Sequence, residues 1–315
     1  MKLAFVLDPL DHIKTYKDSS YAMMEEAARR GHRLYVLRQE DILCRNGAVR
    51  AIAALIELTG DKKAWYALGE TRESALSEFD AVVMRKDPPF DMEYVYSTYL
   101  LELAERQGAR IINRPRALRD NNEKFSITRF VPFTVPTLVT RLESEIRLFL
   151  DEQRDIVLKP LDGMGGTGVF RLHSEDHNVG VVIETLTQYG RRTAMAQRFI
   201  PEIVKGDKRI LLIGGEPAPF SLARIPKAGE TRGNLAVGGR GVAQPLSPRD
   251  REIAQAIGPV LAAEGMLLVG LDVIGDYLTE INVTSPTGMR EIMDQTGFNV
   301  AGMMIDAVEK AVMSD

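Results

Sequence analysis

The chain has 315 residues, 45% of them hydrophobic and 27% charged, the balance of an ordinary soluble globular protein with room for two or three domain-sized units. A net charge of −4 and a pI of about 5.8 give no general attraction to nucleic acid or to an anionic membrane. The single cysteine, Cys44, excludes an internal disulfide framework and a cysteine zinc cluster, and a cytoplasmic location is the simple reading.

The first apolar run, residues 3–7, ends at Asp8-Pro9, too short for a signal-peptide core, and is read as a buried strand. A helix is predicted over 20–30, with Asp18 or Ser19 as its cap and Gly31 as its stop. Strands are predicted at 33–37 and 81–84, followed by the polar turn Arg85-Lys86-Asp87-Pro88-Pro89. Asp91 then caps a helix running to 107, and a strand follows at 110–113. Such alternation implies a parallel, helix-covered sheet over 1–120.

A second unit, 121–200, begins with a strand at 137–140, and Thr140-Arg141-Leu142-Glu143 reads as a capping box for a helix to 153. Strands at 155–159 and 169–172 bracket Leu161-Asp162-Gly163-Met164-Gly165-Gly166-Thr167-Gly168. A helix over 179–188 and a strand over 194–200 close the unit. The third, 201–315, has strands at 208–213 and 217–225 around Gly214-Gly215, a glycine-rich loop over 226–245, a helix over 249–263, a hairpin, and a last helix over 299–313. No run approaches the length of a transmembrane helix.

The hairpin carries the chemistry. Two apolar runs flank Gly275-Asp276, and on the second strand Glu280 and Asn282 lie two apart, so they share a face. A carboxylate and an amide oxygen are hard ligands of the kind that suits Mg2+. A two-residue turn alone would set Asp272 opposite Thr279 and turn it away from them. For all three to meet one metal pair, either the turn takes an odd residue or a bulge shifts the face.

Gly163, Gly165 and Gly168 match the dinucleotide spacing G-x-G-x-x-G, but that fingerprint needs a helix next, and here a strand is predicted. A glycine loop between antiparallel strands suits a flap over a triphosphate, with a plain hairpin tip as its structural alternative. Lys159 ends the strand entering that loop, and Lys124 is a second cation able to reach phosphates. Gln197, Phe199 and Ile200 end a strand whose backbone can pair with an adenine edge, and Asp207 can accept from a ribose or simply cap the turn at Gly206. Arg209 and Arg224 flank Gly214-Gly215, and guanidinium forks suit phosphate and carboxylate. The loop over 226–245 interleaves glycines with Glu230, Arg232, Asn234 and Arg240, which fits a lid closing over anions better than a linker. Arg290 follows Ser285-Pro286-Thr287-Gly288. The four histidines form no metal spacing, and no nucleophilic triad is visible, which suits phosphoryl transfer by positioning and charge neutralisation.

These strings together resemble the ATP-grasp superfamily and, within it, the bacterial glutathione synthetase family. The resemblance rests on Met84-Arg85-Lys86-Asp87-Pro88-Pro89-Phe90-Asp91, Arg119-Asp120-Asn121-Asn122-Glu123-Lys124, Lys159-Pro160-Leu161-Asp162-Gly163-Met164-Gly165-Gly166, Thr231-Arg232-Gly233-Asn234 and Thr279-Glu280-Ile281-Asn282-Val283-Thr284-Ser285-Pro286-Thr287. The chain departs from the family pattern at Asn121 and Gly288, which receive no role.

The resemblance implies an α/β chain. A parallel Rossmann-like N-terminal domain over 1–120 would precede an ATP-grasp fold of two α+β subdomains, over 121–200 and 201–315. It implies ATP-dependent ligation of γ-glutamylcysteine with glycine through an acyl phosphate, in a homotetramer. Lys124, Lys159, Gly163, Gly165 and Gly166 would hold the ATP phosphates. Gln197, Phe199 and Ile200 would hold adenine, and Asp207 the ribose. Asp272, Glu280 and Asn282 would bind two Mg2+ or Mn2+ ions, Asn282 lying against the nucleotide as well. Arg209, Arg224 and Arg232 would stabilise the transferring charge, the last from a lid over 225–240. Arg85, Lys86, Ser285 and Arg290 are substrate candidates. The rival readings are ligation of another acid–amine pair such as two D-alanines, a non-catalytic ATP-binding regulator, and, on the glycine triplet alone, a nicotinamide oxidoreductase.

Overall fold

The computed structural model describes residues 1–61, 63–227 and 238–313. Seven strands form the first sheet: β1 (Lys2–Val6), β2 (Arg33–Leu37), β3 (Ile42–Arg45), β4 (Ala48–Leu58), β5 (Tyr66–Ala75), β6 (Ala81–Met84) and β7 (Ile111–Ile112). Strand β1 is central, parallel to β2 and β6, and β6 is parallel to β7. Its unbroken apolar run Leu3-Ala4-Phe5-Val6 follows from burial on both faces. Helices α1 (Ser19–Arg29) and α2 (Met92–Arg106) start where expected. The Asp18 carboxylate accepts from Tyr21 N at 2.7 Å and the Asp91 carboxylate from Tyr94 N at 3.0 Å.

The sheet is mixed rather than wholly parallel. Strand β4 is antiparallel to β2, β3 and β5. Strand β5 is exposed along most of its length and carries Glu, Arg and Thr on both faces, so it has no apolar alternation to announce it. The short helix α3 (Pro115–Asp120) was likewise not signalled, because six residues show too little of a helical period.

The second sheet is antiparallel, in the order β10-β9-β11-β8, from β8 (Thr137–Thr140), β9 (Asp155–Pro160), β10 (Phe170–His173) and β11 (Ala194–Arg198). Helices α4 (Glu143–Gln153) and α5 (Val179–Thr187) pack on it around a small core of its own, including Ile146, Leu158 and Ile183. The expected capping box does not form. Helix α4 begins at Glu143 behind Leu142, and Thr140 Oγ1 accepts instead from Leu142 N at 3.1 Å.

The third sheet runs β14-β13-β12-β15-β16, from β12 (Asp207–Ile213), β13 (Glu216–Ile225), β14 (Arg240–Pro245), β15 (Leu268–Ile274) and β16 (Tyr277–Asn282). Strand β14 corrects the reading of 226–245 as one loop: its residues pair with β13, from Ile225↔Arg240 to Phe220↔Pro245. Arg232 and most of the expected lid lie outside the described residues.

Helix α6 (Pro248–Ala263) covers this sheet, and Gly258 lets it approach the Gly214-Gly215 turn. A Cβ on Gly258 would stand 2.0 Å from Gly215 O. Helix α7 (Met289–Thr296), a further element the sequence did not signal, precedes α8 (Val300–Met313). Helix α8 returns to α1, where Arg30 donates to Gly302 O at 3.0 Å and His32 meets Glu309 at 2.7 Å. Residues of the first and third sheets share their cores, as where Leu3, Val36 and Ala81 cluster with Leu211, Leu268 and Met304. Among the described residues no helix is long and apolar enough to cross a membrane.

Candidate active site

A cleft of about 510 Å3 opens where the three sheets meet. The first sheet's loops contribute Asp18 and Asp87, the second sheet Lys159 and the glycine loop, and the third sheet Asp272, Glu280 and Asn282.

The hairpin resolves its parity by a bulge. Ile274 pairs with Tyr277 around a two-residue turn, Val273 pairs with Leu278, and the register then shifts so that Asp272 opposes Glu280 and Gly270 opposes Asn282. Thr279 is the extra residue, and its hydroxyl donates to Asp272 O at 3.1 Å. The bulge therefore turns Asp272, Glu280 and Asn282 onto one face.

Asp272 is buried and held by two guanidinium groups. Arg209 lies directly across from it on β12, with Nε 2.5 Å from Oδ1 and Nη2 3.1 Å from Oδ2. Arg224, on β13, places Nη2 2.8 Å from the same Oδ2 and also pairs with Asp207. Burial alone would raise the Asp272 carboxyl, but Arg209 and Arg224 more than reverse this and hold it well below the usual carboxylate range. Asp207 goes the other way: burial pushes it up to about 6 against the pull of Arg224. Its Oδ1 is buried without a hydrogen-bond partner among the described residues. Gly270 makes the arrangement possible, since a Cβ there would stand 2.8 Å from Arg209 Cδ.

The two lysines converge on the hairpin from the other side. Lys124 Nζ is 3.1 Å from Glu280 Oε1 and also donates to Gly163 O. Lys159 Nζ donates to Thr279 O at 3.2 Å, and burial pushes its pKa down to about 8 although Glu280 opposes the shift. Beyond Lys159, Gly165 and Gly166 take left-handed φ values of +63° and +80°. Strand β10 follows, antiparallel to β9, so the loop is a hairpin flap and no helix stands there to receive a dinucleotide pyrophosphate.

Gln197, Phe199 and Ile200 line the cleft at the end of β11. Gln197 donates to Thr137 Oγ1 at 3.2 Å, and the Arg171 guanidinium lies 3.6 Å from the Phe199 ring centroid. Ser285 is on the wall as well, whereas Arg85, Lys86 and Arg290 are not among the lining residues. Arg85 is buried behind the wall, donating to Ser20 Oγ at 2.9 Å and to Pro286 O at 3.0 Å. Lys86 pairs with Asp8 at 2.8 Å, and Arg290 with Glu25 at 2.7 Å. Sequence reasoning missed Glu123, whose only signal was its place beside Lys124, and the wall residues Lys14, Lys17 and Asp18, the last read only as a helix cap.

Comparison with known proteins gives this geometry a lineage. D-cycloserine synthetase DcsG superposes with a TM-score of 0.70 at 16% identity, over 99% of this chain and 100% of that one. The ATP-grasp ligase PsnB, complexed with precursor peptide PsnA2 and AMPPNP, gives 0.62 at 18%, over 99% and 98%. The fold is that of the ATP-grasp ligases. Residues 1–119 match the N-terminal domain described for prokaryotic glutathione synthetase, and residues 123–297 match its ATP-grasp domain. The glutathione synthetase of Nitrosomonas europaea is 65% identical over 99% of this chain and 98% of its own length, and that of Ralstonia nicotianae 59% over 99% and 96%. The chain belongs to the prokaryotic glutathione synthetase family.

Proposed function

We infer that the chain makes glutathione, joining γ-glutamylcysteine to glycine while ATP becomes ADP and phosphate. The observation that carries this reading is the convergence of Lys124, Lys159, Asp272, Glu280 and Asn282 on one cleft, in a chain whose residues 1–119 and 123–297 match the family's two domains. A carboxylate is a poor electrophile toward an amine. In the first step a cysteinyl carboxylate oxygen bonds to the γ-phosphorus of ATP and ADP leaves. In the second the glycine amine bonds to the acyl carbon, phosphate leaves, and the amine gives up its proton.

Lys124, Lys159 and the amides of Gly163, Gly165 and Gly166 hold the phosphates. Gln197, Phe199 and Ile200 flank the adenine, and Asp207, with one oxygen lacking a partner among the described residues, accepts from the ribose. Arg209 and Arg224 face the charge that develops on the transferring phosphoryl group. The hairpin fits a hard divalent cation, since carboxylate and amide oxygens share one face. Asp272, Glu280 and Asn282 would hold Mg2+ or Mn2+, which supplies charge neutralisation at the phosphates when bound. Ser285 faces the substrate, and Arg85 acts through Pro286. Lys86 and Arg290 are assigned no contact, being engaged by Asp8 and Glu25. Arg232 closes a lid that keeps water from the acyl phosphate. We assign the divisions at residues 120 and 200, a cytoplasmic location and a homotetramer on the same family reading.

Phosphate release is the test. It is expected with ATP, Mg2+, γ-glutamylcysteine and glycine, and is expected to stop on chelation and to return with Mg2+ or Mn2+. Release with D-alanine alone would overturn the reading in favour of a D-alanine ligase. Tight ATP binding with no turnover on any acid–amine pair would overturn it in favour of a regulator.

A further inference from the structure

Strand β16 is the edge of its sheet, so among the described residues the backbone groups on its outer side have no neighbouring strand to pair with. Two of them, and the amide of Val283 just past the strand's end, are met by the segment and the lysine across the cleft. Thr279 O accepts from Lys159 Nζ at 3.2 Å, Ile281 N donates to Glu123 O at 2.8 Å, and Val283 N donates to Glu123 Oε1 at 2.9 Å. The same Oε1 takes two more hydrogen bonds, from Thr284 N at 3.1 Å and Thr284 Oγ1 at 2.8 Å. One residue therefore closes the metal-binding strand and opens the loop that follows it. That loop is pinned at two further points, Pro286 O by Arg85 at 3.0 Å and Thr287 O by Arg209 at 3.4 Å.

On the functional reading given above, we propose that Glu123 is a positioning residue for the ligation. It clamps Ile281, Val283 and Thr284 so that Glu280 and Asn282 on one side, and Ser285 on the other, stay in register with Lys124. The covalent link matters: Lys124 is the next residue and its Nζ contacts Glu280, so the chain segment that carries a phosphate-binding cation also fixes the strand that carries the metal ligands. Three hydrogen bonds to a single carboxylate oxygen make a rigid joint, since losing the acceptor strands three donors at once. The role requires an oxygen acceptor at that place and does not require the carboxylate to exchange a proton or touch a substrate.

The test compares wild type with Glu123→Ala and Glu123→Gln. The glutamine keeps an acceptor oxygen and removes the charge. The alanine variant is expected to lose about 10–100-fold in kcat/KM, the range seen when an outer partner of a ligand is removed. Glutamine is expected to recover most of that loss. Amide hydrogen exchange at Val283 and Thr284 is expected to quicken about tenfold in the alanine variant only, while amides of β1 stay protected. A glutamine variant as inactive as alanine, with normal exchange, would overturn the proposal, because the carboxylate itself would then be acting on substrate or metal. Unchanged kinetics in the alanine variant would overturn it too. If alanine does not fold, Glu123→Asp replaces it: the shorter side chain is expected to lose the clamp and the activity together, and wild-type activity there would overturn the proposal. Wild type failing to make glutathione would sink the functional reading alone, since the exchange measurement needs no substrate.

Discussion

Arg209 and Asp272 face each other across the β12–β15 pair with a forked ion pair of 2.5 and 3.1 Å, and Arg224 reaches the same carboxylate from the next strand. One carboxylate thus joins two buried guanidinium groups, the second of which also pairs with Asp207. Asp272→Ala leaves Arg209 without its carboxylate and Arg224 with Asp207 alone, and the expected loss is about 3–5 kcal/mol of folding stability by denaturant titration. Ligation should fall by at least about 100-fold in the fraction that folds. A variant within about 1 kcal/mol of wild type would show that the network relaxes around the gap.

Gly270 is the space into which Arg209 fits. An added methyl would lie 2.8 Å from Arg209 Cδ and 2.9 Å from Pro286 Cβ. Gly270→Ala should therefore push Arg209 off Asp272, costing about 1–3 kcal/mol of stability. The rate of the phosphate-transfer step in single turnover should drop more than ATP binding does. Equal losses in both would argue that the whole sheet moves.

Lys159→Ala and Glu280→Gln should each lose about 100- to 1000-fold in kcat while keeping the wild-type far-UV spectrum. Both side chains line the cleft, and replacing them leaves β9 and β16 with their backbone pairing. Wild-type turnover in either variant would contradict the site assignment.

Lys159 also predicts a pH dependence. Burial brings its pKa from 10.5 to about 8 in the folded chain. Between those values the unfolded chain holds a proton that the folded one has released, so unfolding free energy rises with pH across that window. Conversely, this contribution disappears as pH falls through about 8. On the proposed role the charged form holds phosphate, so KM for ATP should climb above pH 8 or so in the free enzyme. Urea titrations of wild type against Lys159→Gln at neutral and alkaline pH isolate the first effect. Initial-rate profiles in ATP isolate the second, and a flat KM across the window would refute it.

Arg232 lies outside the described residues, and its assignment rests on the glycine–arginine composition of its loop. Arg232→Ala should raise the ratio of ATP hydrolysed to glutathione formed, because the acyl phosphate would meet water more often. Measuring both products in one reaction gives the ratio directly, and no change would remove Arg232 from the lid.

Elements with strong local signals were legible in the chain. Strand β1 announced itself by an unbroken apolar run, and α1 and α2 by the caps Asp18 and Asp91, because these signals depend only on neighbours in sequence. Strand β5 was not, since its polar, exposed faces carry no periodic burial, and β14 was hidden inside a glycine-rich stretch. Thr140 looked like a helix cap, yet its hydroxyl satisfied a nearer amide first.

The sequence by itself determined which side chains are candidates for the site: two lysines, two arginines and a hairpin with side-chain oxygens two residues apart are read off residue types and spacing. Only the tertiary structure decided how they meet. Whether Asp272 joined Glu280 and Asn282 turned on the parity of one strand pair, and a bulge at Thr279, which pairing geometry and not local propensity selects, supplied the missing residue. The Glu123 clamp was equally beyond reach, because its hydrogen bonds span 160 and 161 positions of chain and exist only once the edge of β16 is folded against the segment that carries Lys124.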